Sequence, residues 1–139
     1  MSDTAGTAPG TQATLHATRI SPSFTANDLQ ASIRFYTEGL GFEVEERTEM
    51  EGVLRFVMLK AGEARLGVGQ DDFAKGRDRV KGTGMRIWLT TSQDVTELAE
   101  RARTAGITLD QEPGPLPWGP MAFSVTDPDG FKLTIANPS

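Results

Sequence analysis

Residues 27–42, NDLQASIRFYTEGLGF, hold the pattern that decides the fold. Apolar side chains recur in this stretch at intervals of four, three and four residues: Leu29, Ile33, Tyr36 and Leu40. That spacing is the buried stripe of an amphipathic helix, and it predicts a helix packed on a core. Asn27 is the expected N-cap, and Gly39 and Gly41 are expected to end the helix because glycine tolerates positive φ.

The helix is flanked by segments with the pattern of β-strands. Residues 19–26 precede it with alternating apolar and polar side chains. Three further strand-like runs follow it, and Gly62 marks the turn between the last two. The runs cover residues 42–48, 53–59 and 64–69. Together these elements predict a βαβββ module over about residues 18–70.

The same order of elements returns in the second half of the chain. A strand at residues 86–91 precedes a helix with Ser92 as its candidate N-cap, and Gly106 ends that helix. The apolar stripe of the helix is formed by Val95, Leu98, Ala99 and Ala102. Strands are then predicted at residues 107–111, 121–125 and 131–136. The second module therefore covers about residues 85–137, and the charged, glycine-rich stretch 71–84 is a linker.

The two halves match in spacing as well as in order. Asp28 and Leu29 correspond to Asp94 and Val95, and glycines correspond at positions 41 and 106 and at positions 62 and 130. This repetition predicts an α+β fold of two βαβββ modules with mixed sheets. A generic α+β sandwich with accidental symmetry is the alternative.

The composition restricts the class of protein further. A chain of 139 residues suits one domain, here residues 18–139, and residues 1–17 are too poor in large apolar side chains to fold, so they predict a disordered tail. His16, the only histidine, lies in that tail and is assigned no role. The absence of cysteine excludes disulfides and thiolate catalysis.

Charge and hydropathy bear on partners and location. The net charge of −5 and the absence of a basic stripe argue against nucleic-acid binding. The chain contains no apolar run of about 18 residues, so the sequence predicts no membrane span. The N-terminus lacks a signal-peptide pattern, so the cytoplasm is the expected location.

Short motifs in both halves carry a family resemblance. In the first module they are Asp28-Leu29, Ser32, Phe35-Tyr36 and Leu40-Gly41-Phe42. In the second they are Asp94-Val95, Ala105-Gly106, Pro117-Trp118-Gly119 and Asp127-Pro128-Asp129-Gly130. Over residues 19–137 the chain resembles the vicinal oxygen chelate superfamily, which includes glyoxalase I, bleomycin-resistance proteins and extradiol dioxygenases. The resemblance implies two cupped sheets that enclose a ligand cavity, and it implies a homodimer.

The resemblance also indicates where a metal would bind. Metal enzymes of this superfamily take their ligands, usually His, Gln or Glu, from the first and last strands of each module. Those positions fall here on Ser21, Gly67, Arg86 and Thr134. None of the four is an imidazole or a carboxylate, whereas a catalytic divalent cation typically needs about three good protein ligands. We therefore expect a metal-free site with no cofactor.

Side chains alternate between the two faces of a strand, and this alternation predicts the cavity wall. The outer, core-facing set is apolar: Phe24, Ala26, Leu66, Val68, Ile87, Leu89, Leu133 and Ile135. The inner set is polar and partly cationic: Ser21, Ser23, Thr25, Arg65, Gly67, Gly69, Arg86, Trp88, Thr90, Lys132 and Thr134. Four strands thus agree on one packed face and one ligand-facing face.

Five residues on or beside the inner face are the candidate ligand contacts: Arg86, Trp88, Trp118, Ser23 and Thr134. Trp88 is expected to stack on a planar ligand, and an ordinary core tryptophan is the alternative. Trp118 lies in the proline-rich loop 115–120, either at the cavity mouth or packed on the protein's own surface. Arg86 is expected to bind an anionic group, or else to form an internal ion pair with a glutamate or with Asp110.

Other polar residues have structural interpretations. Arg65 and Lys132 are expected to reach solvent, and Tyr36 is expected to belong to the core. The glutamate-rich run 43–51 is interpreted as a solvated strand face. No Ser–His–Asp or Cys–His set can be assembled from the chain.

Two functions remain open at this point. The first is metal-independent binding and sequestration of a small aromatic, anionic molecule, as the resemblance to antibiotic-resistance proteins implies. The second is a metal-independent lyase, isomerase or cyclase. We favour binding without catalysis because no titratable pair on the inner face can serve as general acid and base. The cationic inner face argues against a cationic ligand such as bleomycin, unless the glutamate-rich strand lines the groove instead.

Overall fold

The computed structural model describes Gln12 and residues 14–139. The predicted disordered tail, residues 1–17, therefore lies largely outside the described residues. Its described part, Gln12 and residues 14–17, forms no helix or strand, and His16 is exposed. The regular structure begins at Ser23.

Two copies of a βαβββ module form the fold, as the sequence predicts. The first consists of β1 (Ser23–Ala26), α1 (Leu29–Arg34), β2 (Glu43–Met50), β3 (Val53–Ala61) and β4 (Ala64–Gln70). The second consists of β5 (Arg86–Thr90), α2 (Val95–Thr104), β6 (Gln111–Pro115), β7 (Met121–Thr126) and β8 (Lys132–Ala136). Each module forms a four-stranded sheet, with strand orders β1-β4-β3-β2 and β5-β8-β7-β6. The first strand of each sheet is parallel to its neighbour, and the other pairs are antiparallel.

The two faces of each sheet separate as predicted. Six of the eight core-facing residues are buried: Phe24, Ala26, Leu66, Val68, Leu133 and Ile135. The other two, Ile87 and Leu89, are half-buried against the same core. The rings of Phe24 and Phe131 stack with centroids 4.0 Å apart, one ring from each module. One continuous core therefore joins the two sheets.

Both helices are short, and no helix in the described part of the chain is long and apolar enough to cross a membrane. Their N-caps are Asp28 and Asp94, whose side chains accept hydrogen bonds from backbone N–H groups of the first turn. The predicted caps, Asn27 and Ser92, are wrong. A carboxylate at this position also interacts favourably with the helix dipole, and the side chain of Asn27 accepts a 2.7 Å hydrogen bond from Lys81 Nζ instead.

The first helix does not stay regular to its end. Phe35–Gly39 form a π-helical turn, and within it Thr37 Oγ1 donates a 2.7 Å hydrogen bond to the carbonyl of Ile33. A hydroxyl that bonds the carbonyl four residues back competes with the backbone ladder. The turn leaves the side chain of Tyr36 fully buried, which confirms its place in the core.

The sixth strand begins later than predicted. The predicted strand at 107–111 is wrong, because β6 is Gln111–Pro115 and the residues before it form no strand. Ile107 and Leu109 pack against the core instead of pairing along a sheet. The strand contains two prolines, which is compatible with its place at the sheet edge beside β7.

A buried ion pair fixes the linker between the modules. Residues 71–84 contain no helix or strand, as predicted. Within them Lys81 Nζ lies 3.0 Å from Asp71 Oδ2, and both side chains are almost completely buried. The hydrogen bond from Lys81 lowers the pKa of Asp71 below its usual value. Gly82 packs on the backbone of Gly130 so closely that a Cβ would lie 2.3 Å from its carbonyl carbon, so only glycine fits there.

Candidate functional site

The candidate site is built on β5. Arg86, Trp88 and Thr90 lie on its exposed face, while Ile87 and Leu89 alternate with them toward the core. This alternation follows from the pleat of a strand, and it leaves a cation and an aromatic ring on one surface.

The two tryptophans of the chain lie together. The rings of Trp88 and Trp118 are stacked, with centroids 6.1 Å apart and an interplanar angle of 24°. Their exposed fractions are 47% and 61%, so neither is a core residue. The loop that carries Trp118 is closed by two backbone hydrogen bonds of 2.8 Å, from Leu116 N to Pro120 O and from Gly119 N to Leu116 O. The site therefore presents a large aromatic surface to solvent.

Arg86 is held by a neighbouring strand. Its Nη1 donates a 2.8 Å hydrogen bond to Thr134 Oγ1, and Thr134 in turn lies 3.3 Å from the hydroxyl of Ser124. Thr134 and Ser124 are both buried, so Thr134 acts as an acceptor that orients Arg86. No carboxylate of the described residues forms a salt bridge with Arg86, so the ion pair weighed in the sequence analysis is not formed there.

A cavity of about 400 Å³ opens beside these residues at the junction of the two modules. Its walls come from the segment before β1, the beginning of β4 and the whole of β5 except Thr90: Ile20, Ser21, Pro22, Ala64, Arg65, Leu66, Arg86, Ile87, Trp88 and Leu89, together with Phe42. Arg65 does not reach solvent, and that prediction was wrong. Its Nε lies 2.7 Å from Glu45 Oε1, and only 13% of the side chain is exposed. Because Glu45 neutralises Arg65, Arg86 is the cation in this lining that lacks a described ionic partner.

Ser23, the fifth candidate, lies on the other sheet. It is exposed in β1, in register with Gly67 of β4. No hydrogen bond among the described residues joins it to the other four candidates. A Cβ at Gly67 would clash with the ring of Phe56 at 2.6 Å, so an aromatic side chain covers this part of the inner face. The structure thus brings Arg86 together with Thr134 and Trp88 together with Trp118, but leaves Ser23 apart.

Ser124 is absent from the predicted site residues, and Lys132 is predicted on the inner face but as a residue that reaches solvent. Ser124 extends the hydrogen bonds behind Arg86, and Lys132 is the residue of β8 directly opposite Arg86. The alternation of side chains places Lys132 on the inner face, and the parallel pairing of β5 and β8 sets it opposite Arg86. No local signal marked Ser124, because its role depends on the antiparallel register of β7 and β8.

A larger cavity, of about 660 Å³, lies elsewhere between the modules. It is bounded by residues 40–42, 61–64 and 89–93 and by α2. Arg101 in its wall is already engaged, because it donates to the carbonyls of Thr37 and Glu38 at 3.1 and 3.2 Å. Its one charged group without a described ionic partner or backbone contact is the exposed carboxylate of Glu63, and no exposed aromatic ring lines it, so this cavity is a weaker candidate for binding an aromatic anion.

The arrangement agrees with comparisons to known proteins. The model of the Glyoxalase/Bleomycin resistance protein/Dioxygenase superfamily matches residues 15–135. The chain belongs to this superfamily. A relative from Brassica oleracea var. gemmifera, named as a putative lactoylglutathione lyase, is 29% identical over an alignment of 122 residues, and the match covers 81% of this chain and 41% of that protein. The chain thus spans about two fifths of the length of that relative.

Solved structures of the superfamily agree on the fold. TioX from Micromonospora sp. ML1 superposes with a TM-score of 0.71 at 20% identity, covering 87% of this chain and 98% of TioX. A superfamily member from Sphaerobacter thermophilus gives a TM-score of 0.69 at 24% identity, covering 88% of this chain and 98% of that protein. These likenesses establish the two-module architecture.

The metal positions of the superfamily do not fit a divalent cation in this chain. Ser21 precedes β1, and Gly67 pairs with Ser23 and offers no side chain. In the second module the two positions are the mutually hydrogen-bonded Arg86 and Thr134. A guanidinium repels a cation, and no three His, Cys, Asp or Glu side chains cluster suitably among the described residues. The donor set therefore lacks the imidazoles and carboxylates that such a metal requires.

Proposed function

We propose that the protein is a metal-independent small-molecule-binding protein, which holds and sequesters a planar aromatic ligand without transforming it. The observation that carries the proposal is the exposed, stacked pair of Trp88 and Trp118. Trp88 lines the cavity beside Arg86, and Trp118 stacks on Trp88.

The geometry of the pair favours a ring as ligand. Aromatic rings attract one another at centroid separations of about 4.5–7 Å, so each indole can stack a further ring on its free face. Covering the exposed indole surface removes apolar area from water at about 25 cal/mol per Å². An indole that is half exposed in the free protein therefore gains by binding a planar molecule.

Metal independence rests on the donor chemistry. The name lactoylglutathione lyase belongs to the relatives, of which this chain spans only part. At the four family positions this chain has Ser21, Gly67, Arg86 and Thr134 instead of metal ligands. A metal-dependent isomerisation is for this reason not the function we favour.

A metal-independent lyase, isomerase or cyclase in the same cavity is the alternative. It needs a proton donor and acceptor at the ligand. On the inner face, hydrogen bonds connect Lys132 to Thr126 and Thr126 to Asp110, and both bonds are exposed to solvent. Groups exposed to bulk solvent in this way are not enclosed with a ligand, so we rank binding first.

We further place the protein in the cytoplasm as a homodimer, with a resistance-like role against an aromatic compound. The role follows from sequestration, since a tightly held molecule is withdrawn from its target. The partner is a small molecule, and neither nucleic acid nor membrane is expected.

The proposal is tested by recovering the ligand. Native mass spectrometry of the purified protein identifies the co-purifying molecule, which is then released by denaturation and returned to fresh protein. We expect the molecule to contain an aromatic ring and to be recovered chemically unchanged, with or without a chelator. Val80→Ala, which trims an exposed side chain of the linker, should retain it, while Trp88→Ala should lose it. Conversion to a product would instead establish the enzymatic alternative.

A further inference from the structure

Two cations stand side by side on the inner face of the second sheet. Arg86 and Lys132 are direct register partners in the parallel pair of β5 and β8. Adjacent strands lie about 4.8 Å apart, and like charges directly opposite one another destabilise a sheet. Such a pair is unfavourable unless something neutralises it.

Neither cation has an ionic partner in the described part of the chain. Five basic residues of the described chain do form ion pairs, namely Lys60, Arg65, Arg79, Lys81 and Arg103, so the absence of a partner is not by itself unusual. Lys132 Nζ instead makes a long contact of 3.4 Å with the hydroxyl of Thr126, which itself donates to Asp110, so this exposed carboxylate lies near Lys132 without forming a salt bridge with it. What distinguishes Arg86 and Lys132 is that they lie directly opposite one another on adjacent strands.

The surroundings leave room for an anion. A shallow cavity of about 550 Å³ is lined by both cations, by Gly130 and by the loop of residues 81–85. Lys81 of that loop is committed to its buried ion pair, so it anchors the loop without competing for a ligand. Gly84 has a positive φ of 75°, and a Cβ at this position would meet no atom within 4 Å. The loop therefore leaves open space beside Gly84.

We propose that Arg86 and Lys132 bind a dianionic oxyanion group, a phosphate monoester, on the aromatic ligand. The inference rests on the proposed function for the position of the ring. Arg86 donates one N–H to Thr134, and its remaining donors are available to an anion. Lys132 adds an ammonium group. Two unbalanced positive charges match a phosphate monoester, which carries about −1.5 to −2 at pH 7.

The spacing also suits one molecule. Arg86 and Trp88 are two residues apart on one face, so their Cα atoms are separated by roughly 6.6 Å. A ring stacked on Trp88 can therefore carry its phosphate directly into the cationic pair. The ligand class is a planar aromatic phosphate monoester.

The test uses probes that share one ring and differ in charge. Binding of 2-naphthyl phosphate, 2-naphthoate and 2-naphthol is measured by calorimetry at two salt concentrations, together with inorganic phosphate alone. We expect the phosphate ester to bind tightest, the carboxylate less and the neutral ring least, with the charged probes weakened by salt. Equal affinity for all three rings would overturn the anion site and leave aromatic binding intact. Equal affinity of the carboxylate and the phosphate ester would overturn the dianion assignment.

Variants assign the effect to the two cations. Arg86→Ala and Lys132→Ala should each weaken the binding of 2-naphthyl phosphate by about tenfold or more and leave the affinity for 2-naphthol unchanged. Arg86→Lys should recover only part of the loss, since it keeps the charge without the planar fork. Lys75→Ala, an exposed linker lysine, is the matched control and should have no effect.

Melting temperatures separate binding from folding. Lys132→Ala should melt at or above the wild-type temperature, because it removes a like-charge contact. A large fall in melting temperature with unchanged affinity would overturn the assignment. If Arg86→Ala and Lys132→Ala lose binding of 2-naphthyl phosphate while Trp88→Ala retains it, the result supports the anion site and contradicts the proposed binding of an aromatic ring at Trp88.

Discussion

The phenol of Tyr36 donates a 2.8 Å hydrogen bond to Asp127 Oδ2, and this buried contact joins the first module to the second. The other oxygen of Asp127 accepts from the backbone N–H groups of Asp129 and Phe131, which shapes the turn between β7 and β8. Burial raises the pKa of Asp127, although these hydrogen bonds oppose the shift, and burial likewise raises the pKa of Tyr36. A single residue pair thus ties a helix of one half to a turn of the other.

Tyr36→Phe should destabilise the protein by about 1–3 kcal/mol, because Asp127 Oδ2 then loses its donor inside the core. The ring and its packing are retained, so the loss reports the hydrogen bond. Urea unfolding of Tyr36→Phe, Asp127→Asn and the double variant measures the coupling between the two groups. A change below about 0.5 kcal/mol in Tyr36→Phe would contradict the importance of this contact.

Asp127 should make stability depend on pH with a defined sign. Because its pKa is raised in the folded protein, the folded state binds a proton more readily than the unfolded state. Its contribution to the free energy of unfolding therefore falls as pH rises from about 4, the unfolded pKa, through the higher folded pKa. Relative to Asp127→Asn, the wild type should lose stability over that window.

Urea midpoints at a series of pH values test this difference. Asp78→Asn, at an exposed linker position, is the control and should follow the wild-type curve. If wild type instead gains stability relative to Asp127→Asn as pH rises, the sign is wrong and the hydrogen bonds outweigh burial.

Local patterns predicted the architecture because they act over a few residues. The stripe of Leu29 and Ile33 requires a helix, and the alternation of Arg86 and Trp88 with Ile87 places a polar and an apolar face on β5. Both follow from backbone geometry alone. The core-facing residues of these strands were for this reason predicted correctly.

Contacts between distant residues could not be predicted in the same way. Tyr36 and Asp127 are 91 residues apart, and Arg65 was assigned to solvent because its pairing with Glu45 depends on the approach of β2. The first N-cap was misplaced because the side chain of Asn27 bonds instead to Lys81, a residue of the linker. Each error concerns a partner that only the folded chain brings near.

The tryptophan pair should contribute to affinity more than to stability. Trp88→Ala and Trp118→Ala each remove an exposed stacking surface, worth about 1–3 kcal/mol per ring, so 2-naphthol should bind about 5- to 150-fold more weakly. With two tryptophans in the chain, the two indole N–H resonances in an NMR spectrum report directly on the site. Both resonances should shift when the wild type is titrated with 2-naphthol. If neither resonance shifts, the ring binds elsewhere.

Elemental analysis should find no stoichiometric catalytic metal in the purified protein. The expectation follows from Ser21, Gly67, Arg86 and Thr134 at the positions where the superfamily holds its ligands. Metal-dependent isomerisation of the glutathione hemithioacetal and extradiol dioxygenase activity should both be absent after addition of Zn, Ni, Mn or Fe. Stoichiometric metal that is lost together with activity on chelation would overturn the metal-independent function.

The protein should form a homodimer in solution. Both sheets end in exposed edge strands, β2 and β6, and open edges of small sheets need cover. Met50 and Val53 are paired at the tip of the β2–β3 hairpin, with 61% and 49% of their surfaces exposed. Light scattering should give twice the 15.0 kDa mass of one chain.

Two matched valine variants locate the interface. If the dimer covers the β2–β3 hairpin, Val53→Asp should shift the mass toward that of one chain, because it introduces a charge that must be desolvated on association. Val80→Asp places the same charge on an exposed valine of the linker and should leave the dimer intact. A mass of one chain for the wild type throughout the micromolar range would contradict the dimer, and equal behaviour of the two variants would place its interface away from this hairpin.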